Sequence, residues 1–321
     1  LTLSRKVTAA ASLALFAASA IAGPFAYVTN QGSHDVAVID LASGTRLATL
    51  AVGRAPAGVV AMQWPRRVFV TNPESHDVAV IERGATPAGD KVIARLPAGL
   101  APLGIEADES FGRVYVADMF GNTLQVFDAV SLEHLGEVAL GKAPSGIAVD
   151  APHARIYVAD RDDNAVAVID ARTLQRLADI AVGEHPFGIA IDVVAGRLYT
   201  ANVYANSVSV VDLALAKIVA TIPVGKSPYC LLVHPTLPLV YVTNQHSDSV
   251  SVIDTKTLQI VATVPTGAYP EGLAMHPDGS VFFTVNWMDD TLTEHDARTG
   301  QRQRTLSGGS NNRGFGRFVV W

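Results

Sequence analysis

One four-residue phrase recurs along this chain at a nearly fixed period, and that recurrence limits the possible folds more than any other feature. It reads YVTN at Tyr27–Asn30, FVTN at Phe69–Asn72, YVAD at Tyr115–Asp118 and again at Tyr157–Asp160, YTAN at Tyr199–Asn202, YVTN at Tyr241–Asn244 and FTVN at Phe283–Asn286. The successive spacings are 42, 46, 42, 42, 42 and 42 residues. A second phrase follows each time (VAVID, VAVIE, LQVFD, VAVID, VSVVD, VSVID, LTEHD), ending at Asp40, Glu82, Asp128, Asp170, Asp212, Asp254 and Asp296. A third phrase, GxxPxG in most copies, opens the next unit: GRAPAG, GLAPLG, GKAPSG, GEHPFG, GKSPYC, GAYPEG.

Each unit contains four short apolar segments separated by Gly, Pro, Asn and Asp. In residues 183–224 these are PFGIAID, GRLYTAN, NSVSVVD and KIVATIPV. The alternation of Val and Ser in the third is that of a half-buried strand. Beyond residue 22 no window has the i, i+3, i+4 spacing of a long helix. Four strands per unit, seven times over, predicts an all-β fold: a seven-bladed β-propeller of four-stranded blades. A single blade cannot bury both of its faces, and identical neighbours bury each other, so the sequence repeats.

The two ends predict closure. Gly309 and Gly314 keep the spacing of the two glycines in GKAPSG, with Asn312 in place of Pro. Residues 314–321 therefore read as the first strand of a unit that does not continue, and FAYVTN at the other end reads as a second strand with no first. Pairing the C-terminal strand with the N-terminal blade removes two open sheet edges. The four extra residues of the second unit fall between Glu82 and Gly99 and lengthen a hairpin, where insertion is tolerated.

Residues 1–22 read as a secretory signal peptide: Arg5 and Lys6 precede an uncharged apolar run, and Ala20-Ile21-Ala22 fits the small-x-small cleavage rule. This predicts two segments, a leader at 1–22 and one propeller domain at 23–321, and a periplasmic or secreted protein cut near Ala22. No later stretch approaches a membrane span. The net charge of −6 excludes a dedicated duplex-DNA binder, whose affinity rests on many basic contacts to phosphate. Cys230 is the only cysteine, so no intramolecular disulfide forms, and there is neither a CxxCH haem-attachment motif nor zinc-ligand spacing. No cofactor is assigned, and a monomer is expected.

Together YVTN, VSVID and GxxPxG resemble the bacterial YVTN-repeat, or YncE-like, β-propeller family over residues 25–321. The resemblance implies a periplasmic or surface protein. It also brings two functional precedents: single-stranded DNA binding by a member, and lactonase-like or lyase-like enzymes among related propellers.

The GxxP loops and the loops after YVTN should share one face around the central tunnel, here called the loop face. The Gly and Pro serve the repeat, and the residues between and after them are free to vary. They place Arg54, Lys142, Lys226 and Arg313 beside Phe187, Tyr229, Tyr269 and His185. Basic and aromatic groups at one mouth suit a small anionic ligand with a flat group, an unidentified protein, or single-stranded nucleic acid held by stacking and phosphate contact. The leading reading is a binding or scaffold propeller using this face; the alternatives are an enzyme with a tunnel-mouth site and a single-stranded nucleic-acid binder.

Other residues receive structural readings. His34 and His76 align with Asn122, Asn164, Asn206, Asp248 and Asp290, all turn formers, and His246 lies on the same face. His234 and His276 align with Asp108, Asp150 and Asp192 at turns of the opposite face. The acidic residues that close each VAVID-type phrase are turn residues, because catalysis needs one asymmetric constellation and not seven equal carboxylates. Cys230 stands where other units have Gly and should lie near the tunnel. Glu294 and His295 replace an apolar pair, and because sides alternate along a strand one of them should point into a blade interface, where a polar group needs a partner. With Trp287, Met288 and Trp321 they make the final blade the least generic.

Overall fold

The structure, a computed structural model, describes residues 23–321. The expected leader at residues 1–22 lies outside the described residues. The strands form seven antiparallel sheets, six of four strands and one that joins the two ends of the described chain. Each four-stranded sheet runs in chain order from an inner strand at the axis to an outer strand at the rim, as in Pro186–Asp192, Arg197–Asn202, Ser207–Asp212 and Lys217–Pro223. Among the described residues, no helix is long and apolar enough to cross a membrane.

Burial follows strand position. The second strand Phe25–Asn30 is buried along its whole length, its six counterparts are buried beyond a partly exposed first residue, and the third strands are mostly buried between their ends. Neighbouring blades cover both faces of these strands, so Val, Ala and Ile can occupy consecutive positions. The outer strands, such as Lys217–Pro223, have only one protected side and are largely exposed.

The repeated phrases can now be read physically. The Tyr or Phe is core: Tyr27, Tyr115, Tyr199, Tyr241, Phe69 and Phe283 are all fully buried. The Thr joins neighbouring inner strands. Thr71 Oγ1 accepts from Gly58 N–H at 2.8 Å in its own blade and donates to Leu103 O at 2.9 Å in the next. Thr243 does the same between Cys230 N–H (2.9 Å) and Glu271 O (3.2 Å). The terminal Asn or Asp packs under the first Gly of GxxP: a Cβ on Gly53 would stand 2.4 Å from Asn72, and one on Gly309 would stand 1.8 Å from Asn30. The second Gly faces the next blade, where a Cβ on Gly188 would lie 2.1 Å from Tyr229 O.

The acidic turn residues do what their position suggests. Asp40, Asp128, Asp170, Asp212, Asp254 and Asp296 each accept the backbone N–H groups two and three residues further on. Glu82 departs from this pattern. Its hairpin carries the insertion, and Asp90 accepts from Gly84 N–H there at 2.9 Å. Asp90 also accepts a 2.6 Å hydrogen bond from the Tyr27 hydroxyl in the closing blade, so the insertion is an inter-blade contact as well as a longer loop.

Closure takes place as the ends predict, with one difference. The C-terminal strand is not continuous over 314–321. Asn312–Arg313 pairs with Thr29 and Asn30, and Val319–Val320 pairs with Phe25 and Ala26. Between them residues 314–318 turn toward the axis. Phe315 O and Arg317 O accept from Val59 and Ala61 N–H of the adjacent inner strand, both at 2.9 Å. Gly316 permits this approach, since it holds φ of 118° and a Cβ there would meet Val59 O at 2.4 Å.

Candidate functional site

The loop face is stitched by the turn residues that follow each YVTN phrase. His34, His76, Asn122, Asn164, Asn206, Asp248 and Asp290 all adopt left-handed backbone, with φ between 46° and 61°. Asn and Asp tolerate this region better than other residues. Five of their side chains accept the N–H of the second variable GxxP residue of the next blade: Asn122 from Ala143, Asn164 from His185, Asn206 from Ser227, Asp248 from Tyr269 and Asp290 from Asn311. His34 Nδ1 takes the same role toward Ala55, at 3.2 Å. His76 is reversed and uses Nδ1 to donate to Leu100 O at 2.6 Å. Both histidines are therefore turn residues that staple blades together.

Seven positions after the Pro ring the axis: Ala57, Leu103, Ser145, Phe187, Tyr229, Glu271 and, in the closing blade, Arg313. Large side chains fall together on one side of the ring. Phe187 and Tyr229 stack with centroids 4.0 Å apart, and Phe315 packs on both, at 5.1 and 6.1 Å. Leu103, Met119 and Val203 pack against the same apolar cluster.

The same ring carries a charged pair. Glu271 is buried, and its Oε2 lies 3.3 Å from Arg313 Nε, whose side chain keeps 19% of its surface exposed. Gln245 Nε2 donates to Glu271 Oε1 at 3.1 Å. Neither Glu271 Oε2 nor Arg313 Nε completes a hydrogen bond. Burial raises the Glu271 carboxyl to about 7, against the opposing pull of Arg313. The guanidinium also sits 5.0 Å over the Trp287 ring, and Trp287 meets Tyr269 edge-on at 5.2 Å. His246 meets the other side of Tyr269 at 5.1 Å.

The sequence-predicted residues divide into three groups. Phe187, Tyr229, Tyr269 and Arg313 come together in this cluster. Arg54, Lys142 and Lys226 are exposed and spread around the rim. Arg54 donates to Glu74 O at 2.7 Å. His185 stands apart from the cluster: it stacks on Tyr204 at 3.9 Å, and burial lowers its pKa. The rim is not net positive. The loops after YVTN bring Glu74, Asp162, Asp163, Asp248, Asp289 and Asp290, and the GxxP loops Glu184, to the face that holds the four basic residues and Arg161.

Sequence reasoning did not single out Glu271 or Gln245 for the site. Glu271 was recognisable as the one acid at the position after the Pro, immediately preceding Arg313 in the ring. Gln245 gave no comparable signal. Cys230 is buried beside the cluster, and burial followed by the nearby Glu271 raises its thiol pKa well above the usual value, which makes it a poor nucleophile. Among the described residues, no three His, Cys, Asp or Glu side chains gather as ligands of one metal ion would.

The remaining polar departures from the repeat are structural. His295 is fully buried, stacks on Phe282 at 4.9 Å, and reaches Thr293 Oγ1 at 3.0 Å and Gly300 O at 3.2 Å. Glu294 pairs with Arg304 at 2.6 Å, and Arg304 crosses the interface to Leu41 O and Ala42 O of the closing blade. His234 holds its turn by accepting from Thr236 and Leu237 N–H, and His276 accepts from Asp278 N–H.

No protein-family model and no curated protein matches this sequence. Solved structures match its shape. A functionally unknown protein from Desulfotomaculum acetoxidans DSM 771 superimposes with a TM-score of 0.80 at 15% identity, over 92% of this chain and 98% of that one. The chain is a seven-bladed β-propeller. Kuenenia stuttgartiensis hydrazine synthase gives 0.71 at 17% identity, over 79% of this chain and 87% of that one. The dihydro-heme d1 dehydrogenase NirN, in complex with DHE, gives 0.68 at 17%, over 90% of this chain and 74% of that one. At these identities the likeness is one of fold, and chemistry must be argued from the site.

Proposed function

We propose that the chain is an exported propeller of the YVTN-repeat type that acts as a binding protein, engaging a protein partner with its loop face. One contrast carries this reading. The residues common to the repeats are consumed by stitching blades together, while the blade-specific residues leave large apolar side chains in solvent on that face. Leu100, Phe120, Tyr204 and Met288 are 60–68% exposed there. They surround the cluster of Tyr229, Tyr269, Trp287 and Arg313, residue types in which binding energy tends to concentrate. Rim carboxylates weaken the single-stranded nucleic-acid reading, which needs an excess of cations.

A second reading rests on the partly exposed Arg313 guanidinium over Trp287, whose Nε is turned to Glu271: a small anionic ligand with a flat group would pair with the remaining guanidinium nitrogens and stack on the indole. The solved neighbours include proteins whose names denote enzymes, but the similarity carries no catalytic residue to this chain.

Native mass spectrometry of protein gently purified from its own source tests the proposal. A bound polypeptide, lost when Tyr204 and Met288 are both changed to Ser, is the expected result. A tightly held small molecule that survives those changes and is lost in Arg313→Ala would replace the first reading with the second. An unliganded chain in every preparation, including after chemical cross-linking, would contradict both.

A further inference from the structure

The tunnel has a second end. On the face opposite the loops it opens into a cavity of about 600 Å³, within the range of small-molecule sites. Its inner end reaches Gly146, Gly188, Cys230 and Phe315, and Phe315 packs on the Phe187–Tyr229 pair. Its walls are the inner strands, with Ile105, Ile147, Ile189, Leu231 and Leu273 among the side chains that line it. Its polar side chains lie at the open end. There the lining holds three acids, Glu106, Asp108 and Glu109, against one cation, Arg317.

That cation is already engaged. Arg317 Nε donates to Glu106 Oε1 and its Nη2 to Ala107 O, both at 2.7 Å. Glu106 balances its charge, which leaves the rim in carboxylate excess. Asp108 is buried: its Oδ1 accepts from Ser110 N–H, the Ser110 hydroxyl and Phe111 N–H, and its Oδ2, which has no hydrogen-bond partner, is closed to solvent, so it acts on the rim through its charge. Glu109 is exposed, with one oxygen accepting from Gln63 N–H at 3.1 Å. An apolar bore with an acidic rim favours a ligand with an apolar body and a positive end, since an anionic end would meet like charge on entering.

We propose that this cavity is a binding site for a lipophilic amine, its hydrocarbon part in the bore and its ammonium at Glu109 on the rim, where the buried Asp108 adds negative charge. The site is independent of the loop-face reading, on which it does not rest.

The test compares octylammonium, octanol and octanoate, which differ only in the head group, by isothermal titration calorimetry on the purified protein. Octylammonium should saturate at one per chain and bind at least tenfold more tightly than octanoate, with octanol between them. Glu109→Gln should weaken octylammonium several-fold and leave octanol unchanged. Ala190→Phe, at a partly exposed wall position, should weaken octylammonium and octanol together. Octanoate binding as tightly as octylammonium would overturn the charge assignment. Absence of saturable binding, or octylammonium binding indifferent to both substitutions, would overturn the site.

Discussion

Glu271 and Arg313 face each other at 3.3 Å across the seam between the last complete blade and the closing blade. The two residues occupy the same position of consecutive repeats, where other units carry Ala, Leu, Ser, Phe and Tyr. A buried ion pair is a weak source of stability, and apolar residues of similar volume often serve as well. Its imperfect hydrogen bonding and the Arg313 guanidinium lying over Trp287 fit a pair kept for what it binds.

Glu271 should leave a signature in the pH dependence of stability. Its folded pKa of about 7 lies above the ordinary carboxyl value of 4.5. The folded state therefore holds that proton more tightly than the unfolded chain does. Its stabilising contribution is complete below about pH 4.5 and is lost as pH rises to about 7. The full difference is on the order of 3 kcal/mol. Glu271→Gln cannot titrate, so the stability of the variant relative to the parent should rise across that window and level off above it. Urea denaturation of both proteins from pH 4.5 to 8 measures this. Taking the difference cancels other groups, including Asp160, which burial raises to about 6. A constant difference would show that Glu271 does not titrate as its burial requires.

The Glu294–Arg304 pair should behave as one unit. Arg304→Ala leaves a nearly buried carboxylate without its partner and should cost about 3 kcal/mol. Adding Glu294→Val restores the apolar residues found at the equivalent positions Val252 and Ala262, and should recover most of that loss. Denaturation midpoints of the single and double variants form the cycle that measures the coupling. Additive losses would mean the pair is not the interface latch described above.

Gly188 tests why the repeats keep their second glycine. A Cβ there would approach Tyr229 O to 2.1 Å and the Cys230 backbone to 3.0 Å, so the neighbouring blade must shift. Gly188→Ala should cost about 2 kcal/mol or more. Gly112→Ala makes the comparison, because a Cβ there meets nothing within 4 Å and only its φ of 62° opposes the change. The Gly112 variant should lose about 1 kcal/mol, the strain of left-handed backbone. Equal melting temperatures for the two variants would contradict the steric account.

The fold was legible because its determinants are local and sevenfold. Turn acids, left-handed Asn and Asp, and glycines at fixed offsets each act on a neighbour one strand or one blade away. The broken closing strand was harder to read, because residues 314–318 respond to Val59 and Ala61, distant in sequence and without a counterpart in other units. The site was partly legible. Its variable positions were identifiable by exclusion, but which of them meet depends on side-chain direction. Phe187 packs on Tyr229 and Phe315, and His185, two residues earlier, turns onto Tyr204. The charge of the face could not be judged from the GxxP residues alone, because the opposing carboxylates come from a different loop.

The central claim, that the loop face is the binding face, is tested most directly by site-specific photo-crosslinking in the native host. A photoreactive phenylalanine analogue would be placed at Phe120, Tyr204 and Met288 on that face, and at Val194 and Leu215 on the opposite one; all five are exposed. The account predicts one discrete protein adduct, of the same mass from the three loop-face positions and missing from the other two. Adducts from Val194 and Leu215 alone, or equal adducts from both faces, would contradict it.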